Sequence, residues 1–251
     1  MLTRNLSVLI LTRNRLPMIQ RLVTSGLFWH GLQWWQNYWN SQVSNVIHAA
    51  RVVVLDQASN DGTGEWMADK SARNAVQGLI PIDYIHAPHN LGCAGGRNRL
   101  IEQAQLEMPD DLAVFLDDDI VPIAHLWLER LIAPILANEA DISGVEGRMV
   151  DGQGRTHPAS GQPDYVSGGW MAVRNDVFMT GLRFDERFNP NYYEDVDFCK
   201  RAADKGARLT SVGEIGLLHT PDHGSSETLD GAASRKRFVE KWQGWLRGMA
   251  T

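Results

Sequence analysis

The chain has 251 residues, of which 43% are hydrophobic and 22% are charged, and its formal net charge is −6. This composition is ordinary for a globular protein, and the negative charge argues against a surface that mainly binds nucleic acid. Two cysteines are too few for a disulfide framework. No apolar stretch approaches the roughly 18 residues of a membrane-spanning helix, and the first residues lack a signal-peptide pattern. We therefore expect a cytoplasmic location.

Apolar segments of strand length alternate with helical segments over the first 120 residues. Strands are predicted at 6–12, 51–55, 82–85 and 112–116, and helices at 17–26, at 63–72 and from the 89–98 stretch to about 107. This alternation predicts an α/β fold with a mostly parallel sheet and right-handed crossovers.

The segment 27–48 interrupts this alternation, because it carries six aromatic residues and few charges. We predict an extension of the first helix followed by a loop, and an insertion into the fold. Three roles remain open for its aromatic side chains: a satellite core, a platform for a sugar, or a surface for a partner.

The second half changes character, with short strands and turns between helices. Strands are predicted at 142–149, 166–174, 208–212 and 215–219, a hairpin turn at 151–154, helices at 124–137, from 175, at 193–206 and at 234–247, and a mobile loop or lid at 221–233. No linker or internal repeat is visible, so we expect one domain over residues 1–251.

Three consecutive carboxylates, Asp117-Asp118-Asp119, follow the fourth predicted strand. Adjacent acids repel one another, and the carboxyl end of a central strand is where open α/β sheets bind ligands. Hard divalent cations prefer carboxylate oxygens and often share them with substrate phosphates. The pattern favours a metal–diphosphate site, and the alternative is a solvated acidic turn.

Taken together, the motifs resemble those of family 2 glycosyltransferases with the GT-A fold. The resemblance spans residues 7–220 and rests on Thr12-Arg13-Asn14-Arg15, Asp56 with Ser59-Asn60-Asp61-Gly62-Thr63, the stretch 90–98, Asp117-Asp118-Asp119, Gly168-Gly169 and Glu194-Asp195-Val196-Asp197. It implies a Rossmann-like sheet flanked by helices, with a nucleotide-binding half to about residue 120 and a smaller mixed-sheet half that binds the acceptor. The segment 27–48 and Gln57-Ala58 depart from the family pattern.

The resemblance also implies a donor site for a nucleotide-diphosphate sugar, most simply a UDP-sugar. It places Thr12, Arg13 and Arg15 beside the nucleotide, Asp56 against an imide N–H of the base, Asp118 at the ribose and Asp117 as a support of the loop. Arg97 follows a glycine pair, where a guanidinium can approach phosphate or base. Capping of the next helix is the alternative for Asp56, and an ordinary surface role is the alternative for Arg97.

A divalent metal is implied at Asp119, with His219 as a second ligand by resemblance. An imidazole ligand favours Mn²⁺ over Mg²⁺. The alternative for His219 is a structural histidine.

Inverting transfer needs a base for the acceptor hydroxyl. The resemblance assigns this role to Asp195, and Glu194 is expected to contact the acceptor or to hold the loop. Both acids lie at the start of a predicted helix, whose N-terminus stabilises their ionised form. Gly168, Gly169 and Trp170 resemble the segment beneath the donor sugar and the acceptor, with room left by the missing side chains. The alternative for Glu194 and Asp195 is that they are first-turn acids that complement the helix dipole, and Asp197 is expected to have this role. The alternative for Trp170 is packing in the core.

We therefore expect an inverting, metal-dependent glycosyltransferase that acts on a glycan or another hydroxyl-bearing acceptor. The alternatives are a retaining enzyme of the same fold and a glycan-binding module without turnover. The basic C-terminal helix is expected to cover the sheet or, alternatively, to contact a membrane or a partner protein.

Overall fold

The computed structural model describes residues 2–42, 46–104, 106–109, 111–220 and 231–248. Of the predicted loop or lid at 221–233, residues 221–230 lie outside this described part, and 231–233 begin the last helix. Within the described residues, no helix combines the length and apolar character needed to cross a membrane.

Twelve strands occur in the described part of the chain. They are β1 (Leu2–Thr12), β2 (Val46–Asp56), β3 (Ile82–His86), β4 (Leu112–Leu116), β5 (Ile120–Pro122), β6 (Ile142–Gly144), β7 (Gly147–Val150), β8 (Thr156–Pro158), β9 (Tyr165–Val166), β10 (Trp170–Arg174), β11 (Leu209–Ser211) and β12 (Leu217–His219). The helices are α1 (Leu16–Thr24), α2 (Gly26–Gln42), α3 (Thr63–Val76), α4 (Gly92–Gln103), α5 (Trp127–Leu136), α6 (Asn175–Met179), α7 (Glu194–Asp204) and α8 (Gly231–Gly248), with a 3₁₀ turn at Glu186–Phe188.

A seven-stranded sheet lies at the centre, in the order β11-β6-β10-β4-β1-β2-β3. Strands β3, β2, β1 and β4 are mutually parallel, whereas β10 is antiparallel to both β4 and β6. The predicted α/β fold with a mostly parallel sheet is confirmed. Because β1 and β2 pair in register from Leu2↔Val46 to Thr12↔Asp56, their carboxyl ends meet at one edge of the sheet.

The sheet is buried on both faces, which explains its continuous apolar strands. In β1, Leu6, Val8 and Ile10 face one core and Leu9 faces the other, as the period of two requires. Helices cover both faces, and two small antiparallel sheets, β12-β5 and β8-β7-β9, border the edge at which β1 ends.

The aromatic segment was predicted to extend the first helix and then to form a loop. Instead it forms most of a separate helix, α2, which ends at Gln42, and its last residues, 46–48, belong to β2. Phe28 and Trp35 are fully buried, and Phe28 stacks on Trp127 with ring centroids 6.2 Å apart. The indole of Trp127 donates to the Leu27 carbonyl at 3.0 Å. These side chains belong to the main core on that face of the sheet, so the core role is the one that the structure supports.

Other differences are local. The strand predicted at 142–149 is divided into β6 and β7, the separate strand β5 follows the acidic triplet, and the helix predicted to run to residue 107 ends at Gln103. Helix α8 buries Phe238 and Leu246 against the protein, as expected for a helix that covers the fold.

Candidate functional site

A cleft of about 950 Å³ opens at the carboxyl edge of the sheet. Its walls come from the ends of β1 and β2, the acidic triplet, the first turn of α4, the β8-β7-β9 sheet and the start of α7. Every predicted site residue lines it except Asp56, Gly168 and Trp170. The fold therefore gathers residues as far apart in the sequence as Thr12 and His219 into one concave site.

The three acids of the triplet differ in their partners: Arg97 contacts Asp117, Arg15 contacts both Asp118 and Asp119, and Asp119 also contacts His219. Asp119 meets His219, with 3.6 Å between Oδ2 and Nε2. Strand β12 brings them together, because His219 pairs with Ile120 across the β12-β5 ladder. The N–H of Thr220 also donates to the Asp119 carbonyl at 2.9 Å.

Arg15 neutralises part of this charge. Its Nη1 donates to Asp118 Oδ1 at 2.9 Å and to Asp119 Oδ2 at 3.0 Å. Burial nevertheless raises the pKa of Asp118 to about 7, opposed by the attraction of Arg15.

The donor set at Asp119 and His219 fits a divalent ion. A carboxylate and an imidazole only 3.6 Å apart can share one cation, and this ligand pair suits Mn²⁺. The described residues contain no group of three His, Cys, Asp or Glu side chains arranged to hold a metal. An ion at this pair would therefore need further ligands from water or from a bound phosphate.

Arg97 is a buried cation rather than an exposed one, with only 4% of its surface accessible. Its Nη1 lies 2.5 Å from Glu194 Oε1, and its Nη2 lies 3.4 Å from Asp117 Oδ1. The ordinary surface alternative is thus corrected, because the guanidinium is buried and paired with two acids of the cleft wall. Arg97 still lines the cleft, and its approach to a ligand phosphate or base stays a prediction.

The Gly168-Gly169 pair makes room for these side chains. A Cβ on Gly168 would lie 3.1 Å from Arg97 Cζ, and a Cβ on Gly169 would lie 2.6 Å from Asp117 Oδ2. The space that we expected to be left for a sugar at these positions is therefore filled by protein groups, although Gly169 still borders the cleft.

Glu194 and Asp195 open helix α7 after two tyrosines with left-handed backbone, Tyr192 at φ 67° and Tyr193 at φ 68°. Asp195 Oδ2 accepts from the Gly168 N–H at 3.0 Å, and Oδ1 accepts from the Val196 N–H at 2.8 Å. Burial raises the pKa of Asp195 against these hydrogen bonds.

Burial also raises the pKa of Glu194 to about 7, although Arg97 opposes the shift. Glu194 Oε2 is buried and has no hydrogen-bond partner within the described structure.

Asp197 serves a different purpose from its neighbours. It is fully buried, and its carboxylate lies 2.7 Å from Arg201 Nε and 2.5 Å from Lys241 Nζ. The indole of Trp242 donates to it at 2.9 Å. Asp197 therefore fastens α8 to α7, which is more than the first-turn role expected from the sequence.

Asp56 does not face the cleft. It is fully buried, with Oδ1 accepting from the Ser59 N–H at 2.9 Å and Oδ2 accepting from the Tyr84 hydroxyl at 2.9 Å. This enclosure agrees with neither expectation: the carboxylate does not line the cleft, and it does not cap α3, whose first N–H, that of Thr63, donates to Asp61 at 3.1 Å. The next residue, Gln57, lines the cleft together with Thr12, Arg13 and Arg15.

Trp170 packs against the core instead of facing the cleft, and its ring meets the His219 ring edge-on with centroids 6.0 Å apart. Sequence reasoning missed the wall formed by Glu146, Arg148, Thr156 and Tyr165 on the β8-β7-β9 sheet. No local motif marks this wall, because its residues converge only through strand pairing.

Comparison with known proteins agrees with this architecture. A curated relative, the pre-mycofactocin glycosyltransferase of Mycobacterium tuberculosis, is 27% identical over 225 residues, which cover 82% of this chain and 40% of the relative. An uncharacterised Haemophilus influenzae protein is 32% identical over 101 residues, covering 40% of this chain and 52% of that protein. The chain thus spans less than two thirds of the curated relatives that it matches.

Solved structures share the fold at low sequence identity. GalNAc-T7 with UDP, GalNAc and Mn²⁺ superimposes with a TM-score of 0.72 at 14% identity, covering 97% of this chain and 49% of that one. The mannosyltransferase PcManGT of Pyrobaculum calidifontis, in complex with GDP-Man and Mn²⁺, gives 0.63 at 16% identity, covering 87% and 58%. Residues 36–192 match the family described as Glycosyl transferase family 2. The chain therefore belongs to glycosyl transferase family 2 and has its GT-A fold.

Proposed function

We propose that the protein is an inverting glycosyltransferase that moves a sugar from a nucleotide-diphosphate sugar, most simply a UDP-sugar, to a hydroxyl of a glycan or similar acceptor. We further propose that residues 1–251 act as one domain, with the donor held by the half that ends near residue 120. Family membership supports the reaction class. The similar structures carry UDP or GDP-Man with Mn²⁺, which supports a diphosphate donor and a divalent ion.

One observation carries the proposal. In the cleft, Asp195 is a carboxylate oriented by two backbone N–H groups and has no ion pair in the described structure, while Asp119 and His219 supply metal-type ligands to the same cleft. A base and a cation site in one concavity are what glycosyl transfer from a diphosphate requires.

In the reaction, Asp195 takes the proton of the acceptor hydroxyl as that oxygen bonds to the anomeric carbon. The bond from the anomeric carbon to the diphosphate breaks, and its electron pair leaves with the diphosphate. The Gly168 N–H holds the Asp195 carboxylate in position for this transfer. Asp119 and His219 would hold the divalent ion, which supplies charge neutralisation to the leaving diphosphate.

Arg15 and Arg97 have separate duties in this scheme. Arg15 offsets the charge of Asp118 and Asp119 beside the diphosphate. Arg97 is a positioning residue, because it pairs with Glu194 directly before the base. The β8-β7-β9 wall faces the remaining part of the cleft and is assigned to the acceptor.

Thermal unfolding with UDP, GDP, dTDP or CMP, each with and without Mn²⁺, tests the donor and metal site. A ligand at about 100 times its dissociation constant adds about 2.7 kcal/mol, which is a shift of roughly 5–10 °C for a domain of this size. We expect a Mn²⁺-dependent shift with a diphosphate that is lost in Asp119→Asn. No shift with any nucleotide contradicts the proposal and favours a module without turnover. Proton NMR of the first product distinguishes inversion from retention.

A further inference from the structure

Gln57 lies at the carboxyl ends of β1 and β2, where it lines the cleft beside Thr12 and Asn90. Its backbone N–H donates to the Thr12 carbonyl at 2.9 Å, and only 6% of its surface is exposed. The side chain is therefore held by the fold at the edge of the sheet where α/β proteins bind ligands.

The orientation of the Gln57 amide is fixed by its neighbours. The Leu91 N–H donates to Oε1 at 3.0 Å, and only the oxygen of an amide can accept this hydrogen bond. A Cβ on Gly96 would lie 3.1 Å from the same oxygen, so the absence of a side chain there keeps this arrangement open. Nε2 is not a buried atom and makes no hydrogen bond to any described residue. Two N–H donors therefore remain for a ligand in the cleft.

Asp56 does not compete for that role. Its two oxygens are engaged by the Ser59 N–H and the Tyr84 hydroxyl, with His86 Nδ1 a further 3.3 Å contact to Oδ2. Asp56 is fully buried and does not line the cleft, whereas Gln57 does.

We propose that Gln57 selects the nucleobase of the donor by donating from Nε2 to an exocyclic carbonyl, such as O4 of uracil or O6 of guanine. Cytosine and adenine carry an amino group at the corresponding edge, so two donors would face each other and both would lose their hydrogen bonds. The inference rests on the proposed function, because it requires the cleft to bind a nucleotide.

Calorimetric titration of the full chain with matched nucleotides tests this selection. UDP is compared with CDP, and IDP with ADP. In each pair the first nucleotide carries a carbonyl at the base edge where the second carries an amino group. We expect the wild-type protein to bind UDP about tenfold or more tightly than CDP, and IDP more tightly than ADP, from the cost of a donor that the bound base covers and leaves unpaired.

Two substitutions at Gln57 separate selection from fold. Gln57→Glu keeps an oxygen for the Leu91 N–H and turns the other end into an acceptor, so the UDP-to-CDP affinity ratio falls. Gln57→Leu removes the donor, and the ratio approaches one. Gln77→Glu, at the exposed end of α3, makes the same charge change away from the cleft and leaves the ratio unchanged. The unfolding midpoint of each variant reports whether it is folded.

The outcomes distinguish the two proposals. Equal affinities for UDP and CDP, or a ratio that survives in folded Gln57→Leu, overturn the selection by Gln57 and leave the transferase proposal standing. Absence of binding by every nucleoside diphosphate overturns both.

Discussion

The buried pair between Arg97 and Glu194 makes a strong prediction about stability. The side chains are 5% and 7% exposed and their charged atoms are 2.5 Å apart, so solvent screens them little. Arg97→Met keeps most of the volume but leaves the buried carboxyl of Glu194 without its cation. Breaking such a pair from one side costs about 3–5 kcal/mol, which lowers the melting temperature by roughly 6–20 °C for a domain of this size.

The stability that Arg97→Met loses should depend on pH in a defined direction. In the wild-type protein the pKa of Glu194 is raised to about 7 by burial and is held down by Arg97. Without Arg97 this pKa rises further. A carboxyl whose folded pKa lies above its unfolded value stabilises the protein below the unfolded pKa, near 4.3, and that stability is lost as pH rises through the folded pKa. We therefore expect Arg97→Met to be most destabilising at pH 8 and least at pH 5.5.

The assay is thermal and urea unfolding of a double-mutant cycle. Arg97→Met with Glu194→Gln removes both charges, so the double variant should recover much of the loss. Arg99→Met is the matched control, since Arg99 is 46% exposed and pairs only with nearby Glu102 within the described structure, and we expect a change within about 0.5 kcal/mol. A double variant no more stable than Arg97→Met, or a loss that does not vary with pH, would refute the reasoning.

Three further outcomes are expected. Asp195→Asn should lower kcat by about 10²–10⁴ with nucleotide affinity unchanged; a loss of affinity instead would assign Asp195 to binding. Because burial raises the pKa of Asp195, kcat/KM should fall on acidification with a midpoint above the usual carboxyl range near 4, and a flat profile down to pH 4 would contradict this. Asp197→Asn should cost about 1–3 kcal/mol, because it loosens the partly exposed Lys241 and Arg201; trypsin should then cut α8 faster than in the wild-type protein, and equal rates would exclude a role in docking α8.

The sequence predicted the parallel sheet well because its signal is local. Each strand of the first half is a continuous apolar run that ends in polar residues, and strand 112–116 was predicted at its observed bounds. Helix α2 was not predicted to its full length, because its tryptophans and phenylalanine occur on several sides without a clear polar face. Its partner Trp127 lies 99 residues after Phe28, and no local pattern reveals that contact.

The candidate site was predicted as a set of residues more successfully than as a set of interactions. The triplet, Arg97, Glu194, Asp195 and His219 do line one cleft. The sequence did not reveal that Arg97 is buried between two acids, or that the glycine pair accommodates it, because these partners lie 20 and 97 positions away. Asp56 was expected at the base and is enclosed instead, for a similar reason: Tyr84, whose hydroxyl donates to it, comes from β3.

The distribution of cations explains how one cleft can hold so many acids and still keep one for chemistry. Arg15 pairs with Asp118 and Asp119, and Arg97 pairs with Asp117 and Glu194. Arg201 and Lys241 pair with Asp197. Among the acids of the triplet and of the Glu194–Asp197 motif, Asp195 is the one without a cation partner among the described residues. It is held by neutral N–H groups alone.

This difference matters because an ion pair with a cation lowers the proton affinity of a carboxylate, whereas burial raises it. A general base works best when its pKa lies close to the working pH. Burial also raises the pKa of Asp118 and Glu194, but their carboxylates are held by Arg15 and Arg97. Asp195 combines a raised pKa with a fixed direction and has no cation partner among the described residues. Introducing a cation beside it, as in Ser167→Lys on the cleft wall, should therefore move the acidic limb of the kcat/KM profile to lower pH. An unmoved limb in this variant would show that a different group takes the proton.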